Sequence, residues 1–236
     1  MISGCSSTTK TGSATQFQSV FNFPLRAYKE NGNVKILNLR DTSFIFHYGA
    51  YTLYKLPATV QLETSENIQG TEPFLLRKKG DEWGYYFTSI KDSSNGERVK
   101  VDSLLKRKRM KGEDFALPSD TAWRLVSKVF DSKAQEFVEK YASIRQPNEV
   151  TFDSIFYYYS KSVFDTDFSF SKRIDSVTQM KLFRIRFLYN ERFSVQEQFV
   201  IPKREFLFDL KNVQVHSSKE IKRLFEHFKS LAGIDS

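Results

Sequence analysis

The chain has one cysteine among its 236 residues, with three histidines, six prolines and ten glycines, and each scarcity removes a class of protein. A lone cysteine excludes an internal disulfide framework and a cysteine-rich zinc site. The histidines, His47, His216 and His227, form no His-x-x-x-His pair. The glycines are dispersed, so a Walker A loop and a dinucleotide fingerprint are both missing, and nucleotide chemistry is not expected. No serine sits in a G-x-S-x-G elbow, and no local signature joins a nucleophile to a base. Asp165-x-Asp167 lacks the third ligand and the glycine of a calcium loop. No apolar run approaches the ~20 residues of a membrane helix, so membrane attachment requires a lipid or a partner. The expectation is a protein that is not an enzyme, with no cofactor and no metal site.

What is present is an ordinary folded composition, 40% hydrophobic and 27% charged, with 23 Phe and 11 Tyr. Its length suits one large domain or two small ones. The net charge of +8 favours acidic partners. The densest charge cluster, Lys106, Arg107, Lys108, Arg109 and Lys111, is the candidate anion-binding site. It also suits the last turn of a short helix, where cations are favoured by the helix dipole.

The patterning predicts an α+β fold, antiparallel sheet packed by a long central helix and a C-terminal helix. Three divisions are expected: a flexible linker over 1–16, a β-rich unit over 17–115 ending in a short basic helix, and 116–236. The last two are either separate or one continuous domain. Strands are expected over Val34–Arg40, Ser43–Tyr48 and Tyr51–Leu56, with Gly49-Ala50 as a tight turn. Pro73–Lys78 and Trp83–Thr88 flank a second turn at Lys79–Glu82. A short strand at Arg98–Val101 precedes a basic helix, Leu104–Met110, capped by Asp102 or Ser103.

Trp123, Val126, Phe130, Ala134, Phe137 and Tyr141 fall on one face at helical spacing, which predicts a helix over 119–142. Ile155–Ser160, Phe164–Ile174, Met180–Asn190 and Val195–Ile201 read as consecutive antiparallel strands, with Phe206–Leu210 as a fifth. In the third of these, Phe183, Ile185, Phe187 and Tyr189 alternate with Arg184, Arg186 and Leu188, so one face is apolar and the other wet. In Tyr157-Tyr158-Tyr159 the same alternation sends Tyr158 to the opposite side. A capping box at Ser217-x-x-Glu220 opens the final helix, with Ile221, Leu224, Phe225, Phe228 and Leu231 as its buried stripe and Gly233 as its stop.

Ile2-Ser3-Gly4-Cys5, followed by Ser, Thr and Gly residues, resembles the lipobox of bacterial lipoproteins and the solvated linker beyond it. The resemblance covers four residues. It implies cleavage before Cys5, a diacylglycerol on the Cys5 thiol, and a leader upstream of Ile2 in the natural precursor. Ser6, which is not Asp, implies sorting to the outer membrane of a Gram-negative bacterium, facing the periplasm. The expected function is a non-catalytic, lipid-anchored envelope protein binding an unidentified protein, lipid or envelope component. The alternative is a cytosolic protein binding nucleic acid or another polyanion through Lys106–Lys111 and the Arg184/Arg186 strand face, nucleic acid being the less favoured partner.

Overall fold

The computed structural model describes residues 13–30, 33–57, 72–91, 93–108, 110, 118, 122–133, 135–144, 152–162, 168–195, 198–213 and 218–234, the backbone alone at 13–30, 34–41, 212 and 218. In chain order the elements begin with β1 (Ser13–Glu30), β2 (Asn33–Tyr48), β3 (Tyr51–Lys55), β4 (Phe74–Lys78), β5 (Trp83–Phe87), β6 (Glu97–Lys100) and α1 (Val101–Arg107). They continue with β7 (Trp123–Asp131), β8 (Glu136–Ser143), β9 (Ser154–Ser160), α2 (Lys172–Thr178), β10 (Lys181–Tyr189), β11 (Arg192–Ser194), β12 (Phe199–Ile201), β13 (Arg204–Val213) and α3 (Ser218–Leu231). The α+β expectation holds, with antiparallel strands dominant.

Two compact units form, neither continuous in sequence: one is built on Ser43–Lys108 and Val213–Ser236, the other on Gln16–Thr42 and Arg109–Asn212. In the first, the strands follow the order β2-β3-β4-β5-β6, all neighbours antiparallel. Gly49 and Gly80 adopt φ of +59° and +88° at the β2–β3 and β4–β5 turns, the region a Cβ disfavours. The pleat puts Leu53, Phe74, Leu76 and Phe87 on one face, where Ile221, Phe225 and Phe228 of α3 bury against them. The expected stripe of α3 is therefore the one it uses. It packs on strands drawn from Ser43–Lys108.

On the reverse face of these strands, a Cβ on Gly84 would lie 3.0 Å from Leu75 and 3.1 Å from Val101, so α1 closes against the sheet there. The helix starts earlier than expected, at Val101, and no side chain caps it. Val101, Leu104 and Leu105 are buried, and burial of these three replaces the missing cap as the reason the turn forms.

The second unit has the order β13-β10-β9-β8-β7. The alternation read in β10 holds from Arg184 onward, with Ile185, Phe187 and Tyr189 buried and Arg184 and Arg186 on the other face, whereas Phe183 falls at a β-bulge between Leu182 and Arg184 and its ring lies 6.4 Å from Tyr158. Tyr157 and Tyr159 are buried and Tyr158 points opposite, beneath the Arg184 guanidinium at 5.5 Å.

Three expectations are corrected, and in the first, the strand Val195–Ile201, only Phe199–Ile201 is strand and it pairs with β11 as a separate two-stranded sheet outside the meander. The predicted helix over 119–142 is the hairpin β7–β8, its turn closed by Asp131 Oδ1 accepting from Lys133 N at 2.9 Å and by Gln135 at φ +54°. Val129 faces Val138, Phe130 faces Phe137 and Lys128 faces Glu139, cross-strand pairs that an isolated helix cannot form. The predicted strand Phe164–Ile174 gives way to α2, whose cap Ser171 Oγ accepts from Ile174 N at 3.3 Å. Asp175 secures it, accepting from Ser169 Oγ at 2.7 Å and Leu182 N at 2.8 Å, with Lys181 Nζ 3.0 Å away.

Phe228 has no exposed surface and its ring lies 4.9 Å from Phe74 and 4.7 Å from Phe87. Phe228→Ala is expected to lower unfolding free energy by about 3–5 kcal/mol in urea titration followed by circular dichroism, whereas a loss below about 1 kcal/mol would contradict the docking of α3.

Candidate functional site

Strand pairing gives the second unit two chemically different faces. On the outer face Arg184 donates to both carboxylate oxygens of Asp209, from Nε at 3.0 Å and Nη2 at 3.3 Å. Arg186 grips Glu205 in the same two-pronged way, at 2.8 Å for each contact. Lys211 Nζ adds a 3.0 Å contact to Asp209. The Arg186 guanidinium and the Lys140 ammonium also lie over Phe156, at 5.2 and 5.5 Å. The arginines proposed for a polyanion are thus already matched by carboxylates of β13.

The inner face is aromatic, and its cover changes across the sheet. Phe168, Phe170 and Ile174 are buried over the β10–β13 side, with Phe170 6.3 Å from Phe208 and Phe208 6.0 Å from Phe187. On β9 the inner residues Ile155, Tyr157 and Tyr159 are all buried. On β8, Phe137 and Tyr141 are half-buried. On β7, Leu125 pairs with Tyr141 and Phe130 with Phe137, and these two are 49% and 46% exposed. Val126, at the β-bulge between Leu125 and Ser127, and Val129 on the outer side are 50% and 58% exposed. The apolar face runs outward from the core and ends uncovered on an edge hairpin.

A polar hub holds that edge. Glu139 is 8% exposed and its Oε2 accepts from Tyr141 Oη at 2.9 Å and Tyr159 Oη at 3.0 Å. Lys128 Nζ lies 2.9 Å from its Oε1. Burial pushes the Glu139 carboxyl upward, yet the Lys128 contact and the two phenol hydrogen bonds outweigh it and hold the group below its ordinary value. Burial and the adjoining Glu139 charge drive the Tyr159 phenol far upward, so it serves as a fixed donor. The hub fastens β7 and β9 to β8 across an otherwise apolar face.

The remaining candidates are scattered. Lys106 and Arg107 are exposed on the last turn of α1, and Lys108 is its C-terminal cap, its N–H bonded to Leu104 O at 2.9 Å. Arg109, Lys111 and Cys5 lie outside the described residues, as do His216, Asp165 and Asp167. His47 Nδ1 is 3.4 Å from Thr52 Oγ1 on the neighbouring strand. His227 Nε2 donates to Ile90 O at 3.1 Å. Among the described residues no three His, Cys, Asp or Glu side chains gather as metal ligands.

No family model matches the chain, and no curated protein sequence does. Among solved structures, a LolA superfamily protein from Nitrosomonas europaea matches 90% of this chain and 89% of its own, at 11% identity and a TM-score of 0.26. A superposition that loose carries nothing about the site.

The uncovered hairpin was missed in sequence because its apolar residues satisfy a helical period, while the β-bulge at Val126 breaks the alternation of β7. The distinguishing signal is the mirror arrangement of Val129-Phe130-Asp131 and Glu136-Phe137-Val138 about a four-residue turn.

Because the Glu139 carboxyl is depressed in the folded state, the stability it contributes is full above the ordinary value of 4.5 and is lost as pH falls through the lower native value. Glu139→Gln is expected to be less stable near neutrality and to show a shallower loss between about pH 6 and about pH 3 in urea titrations; parallel wild-type and variant profiles would contradict the hub.

Proposed function

We propose that this protein is a non-catalytic, lipid-anchored envelope protein that binds the acyl chain of an envelope lipid or lipoprotein along the inner face of β7 and β8. The observation that carries the binding half is the outward gradient of exposure from buried Tyr157 through half-buried Tyr141 to Leu125 at 49%. A flexible apolar chain suits such a strip, since it needs no hydrogen bonds and can lie on the apolar pairs Phe130/Phe137 and Leu125/Tyr141 to either side of the Lys128–Glu139 pair. The anchor half rests on Ile2-Ser3-Gly4-Cys5, with Cys5 as the acylated residue and the outer membrane, periplasm-facing, as the location. More than one chain on Cys5 makes a stable anchor, each buried CH₂ contributing about 0.8 kcal/mol. The polyanion alternative is weakened by one observation, the pairing of Arg184 and Arg186 with Asp209 and Glu205.

cis-Parinaric acid, a fluorescent acyl probe, is expected to bind the purified chain, and Leu125→Glu with Phe130→Glu to weaken that binding at least about tenfold with the circular dichroism spectrum retained. Equal affinity in the double variant would remove the hairpin from the reading. Expressed behind a lipoprotein leader in a Gram-negative host, the chain is expected to incorporate radiolabelled palmitate and Cys5→Ser to incorporate none; an unlabelled wild type would end the anchor proposal.

A further inference from the structure

The first unit holds a cleft of about 290 Å³ where the β4–β5 turn meets the end of α3. Its lining includes Tyr51, Lys78, Asp81, Trp83, Tyr85 and Ile234. The strand register explains the first part of this set. Tyr51 pairs with Lys78 and Trp83 pairs with Lys100, so aromatic and cationic side chains alternate along one row on the α3 side of the sheet. Lys100 is occupied by Glu82 at 2.6 Å, and this contact holds its ammonium above the ordinary value.

The end of α3 supplies the far wall. Gly233 at φ +65° reverses the chain, with Gly233 N donating to Ser230 O at 3.1 Å and Ile234 N to Lys229 O at 2.9 Å. This Schellman closure folds Ile234 back beside the strands and fixes Lys229 one turn below. Lys229 Nζ then sits 5.0 Å from the centroid of Tyr51, and the Arg98 guanidinium lies 5.2 Å from that of Trp83.

Lys78 and Arg77 are the cations of the lining, Arg77 with its guanidinium turned to Tyr54 at 5.5 Å, and Asp81 is its one carboxylate, while Lys229 and Arg98 lie beside the rings of Tyr51 and Trp83. Trp83 remains 44% exposed while Leu76 and Phe87 beside it have no exposed surface. A large indole half in water, on a strand and flanked by Arg98 and Lys78, is a stacking platform with a charge preference. The volume admits a molecule of one or two fused rings, close to the lower end of small-molecule sites at about 300 Å³.

We propose that this cleft binds a small organic anion with a flat apolar body, its rings on Trp83 and Tyr51 and its charge toward Lys78 and Lys229. The site is separate from the acyl strip and does not depend on it.

Naphthalenesulfonate, titrated onto the full chain by calorimetry, is expected to bind at least about fivefold more tightly than the neutral isostere naphthalenemethanol. Lys78→Gln with Lys229→Gln should remove that preference while sparing the neutral compound, and Trp83→Ala should weaken both about tenfold. Lys78 and Trp83 are exposed, so these variants keep the fold, checked by circular dichroism. Equal affinity for the two probes overturns the charge preference. Unchanged binding in Trp83→Ala, or loss of sulfonate binding in Phe130→Glu, places the probe elsewhere and overturns the site. Failure of parinaric acid to bind, with sulfonate binding intact, would count against the acyl strip alone.

Discussion

The described strands at the cores of both units send alternate side chains to one side, and many of the residues buried there are aromatic or leucine. Such a row is stable only under cover, and among the described residues three helices supply it. The two units meet this constraint differently. In the first, α3 and α1 close on opposite faces of β3, β4 and β5, and Leu53, Leu75 and Leu76 have no exposed surface. In the second, seven-residue α2 and the segment leading to it cover the β10 side of the inner face, and β7 stays bare. The place where cover ends is the place where a ligand gains most by binding.

Polar groups on these sheets hold structure. Asp175 ties α2 to the start of β10, Glu139 ties three strands together, and Asp209 and Glu205 take up the charge of Arg184 and Arg186. Each carboxylate is met by two or more donors, which is what makes a buried or half-buried charge tolerable. A basic net charge thus gives little guidance to function here, since the cations nearest a sheet face are already paired. The cleft of the first unit differs in being concave: there Lys78 stands beside the exposed ring of Trp83.

Legibility in the sequence tracked how local the deciding physics was. The α3 stripe and its Gly233 stop were readable because a helix settles them within a few turns, and the β10 alternation because one strand suffices to show two faces. The β7–β8 segment was not, since Trp123, Val126, Phe130, Phe137 and Tyr141 fit a helical period, the β-bulge at Val126 breaks the alternation of β7, and only pairing across a turn reveals the hairpin. α2 was hidden by its length, seven residues including Ile174 and Val177, with Ser171 as the local signal. The bidentate pairs of Arg184 and Arg186 depend on carboxylates 25 and 19 residues away. The cleft is further still from local reading, because it needs the order β3-β4-β5 and the docking of α3 before Tyr51, Trp83 and Ile234 become neighbours.

Magnitudes bear on what kind of binding the bare hairpin supports. Full burial of an apolar side chain is worth about 1.5–3 kcal/mol, and Leu125, Phe130, Phe137 and Tyr141 each retain part of that gain. Together they offer roughly 3–6 kcal/mol before the ordering cost of a ligand, which limits dissociation constants to, at the tightest, several millimolar to tens of micromolar. That range suits brief engagement and release rather than a permanent complex. A lipid on Cys5 would change the meaning of such weakness. Tethering at a membrane surface raises the effective concentration of membrane-borne ligands to the millimolar scale, so an affinity too low for capture from solution becomes sufficient at the bilayer. On the proposed reading the anchor and the uncovered edge would form one device, in which the first would make the modest energy of the second adequate.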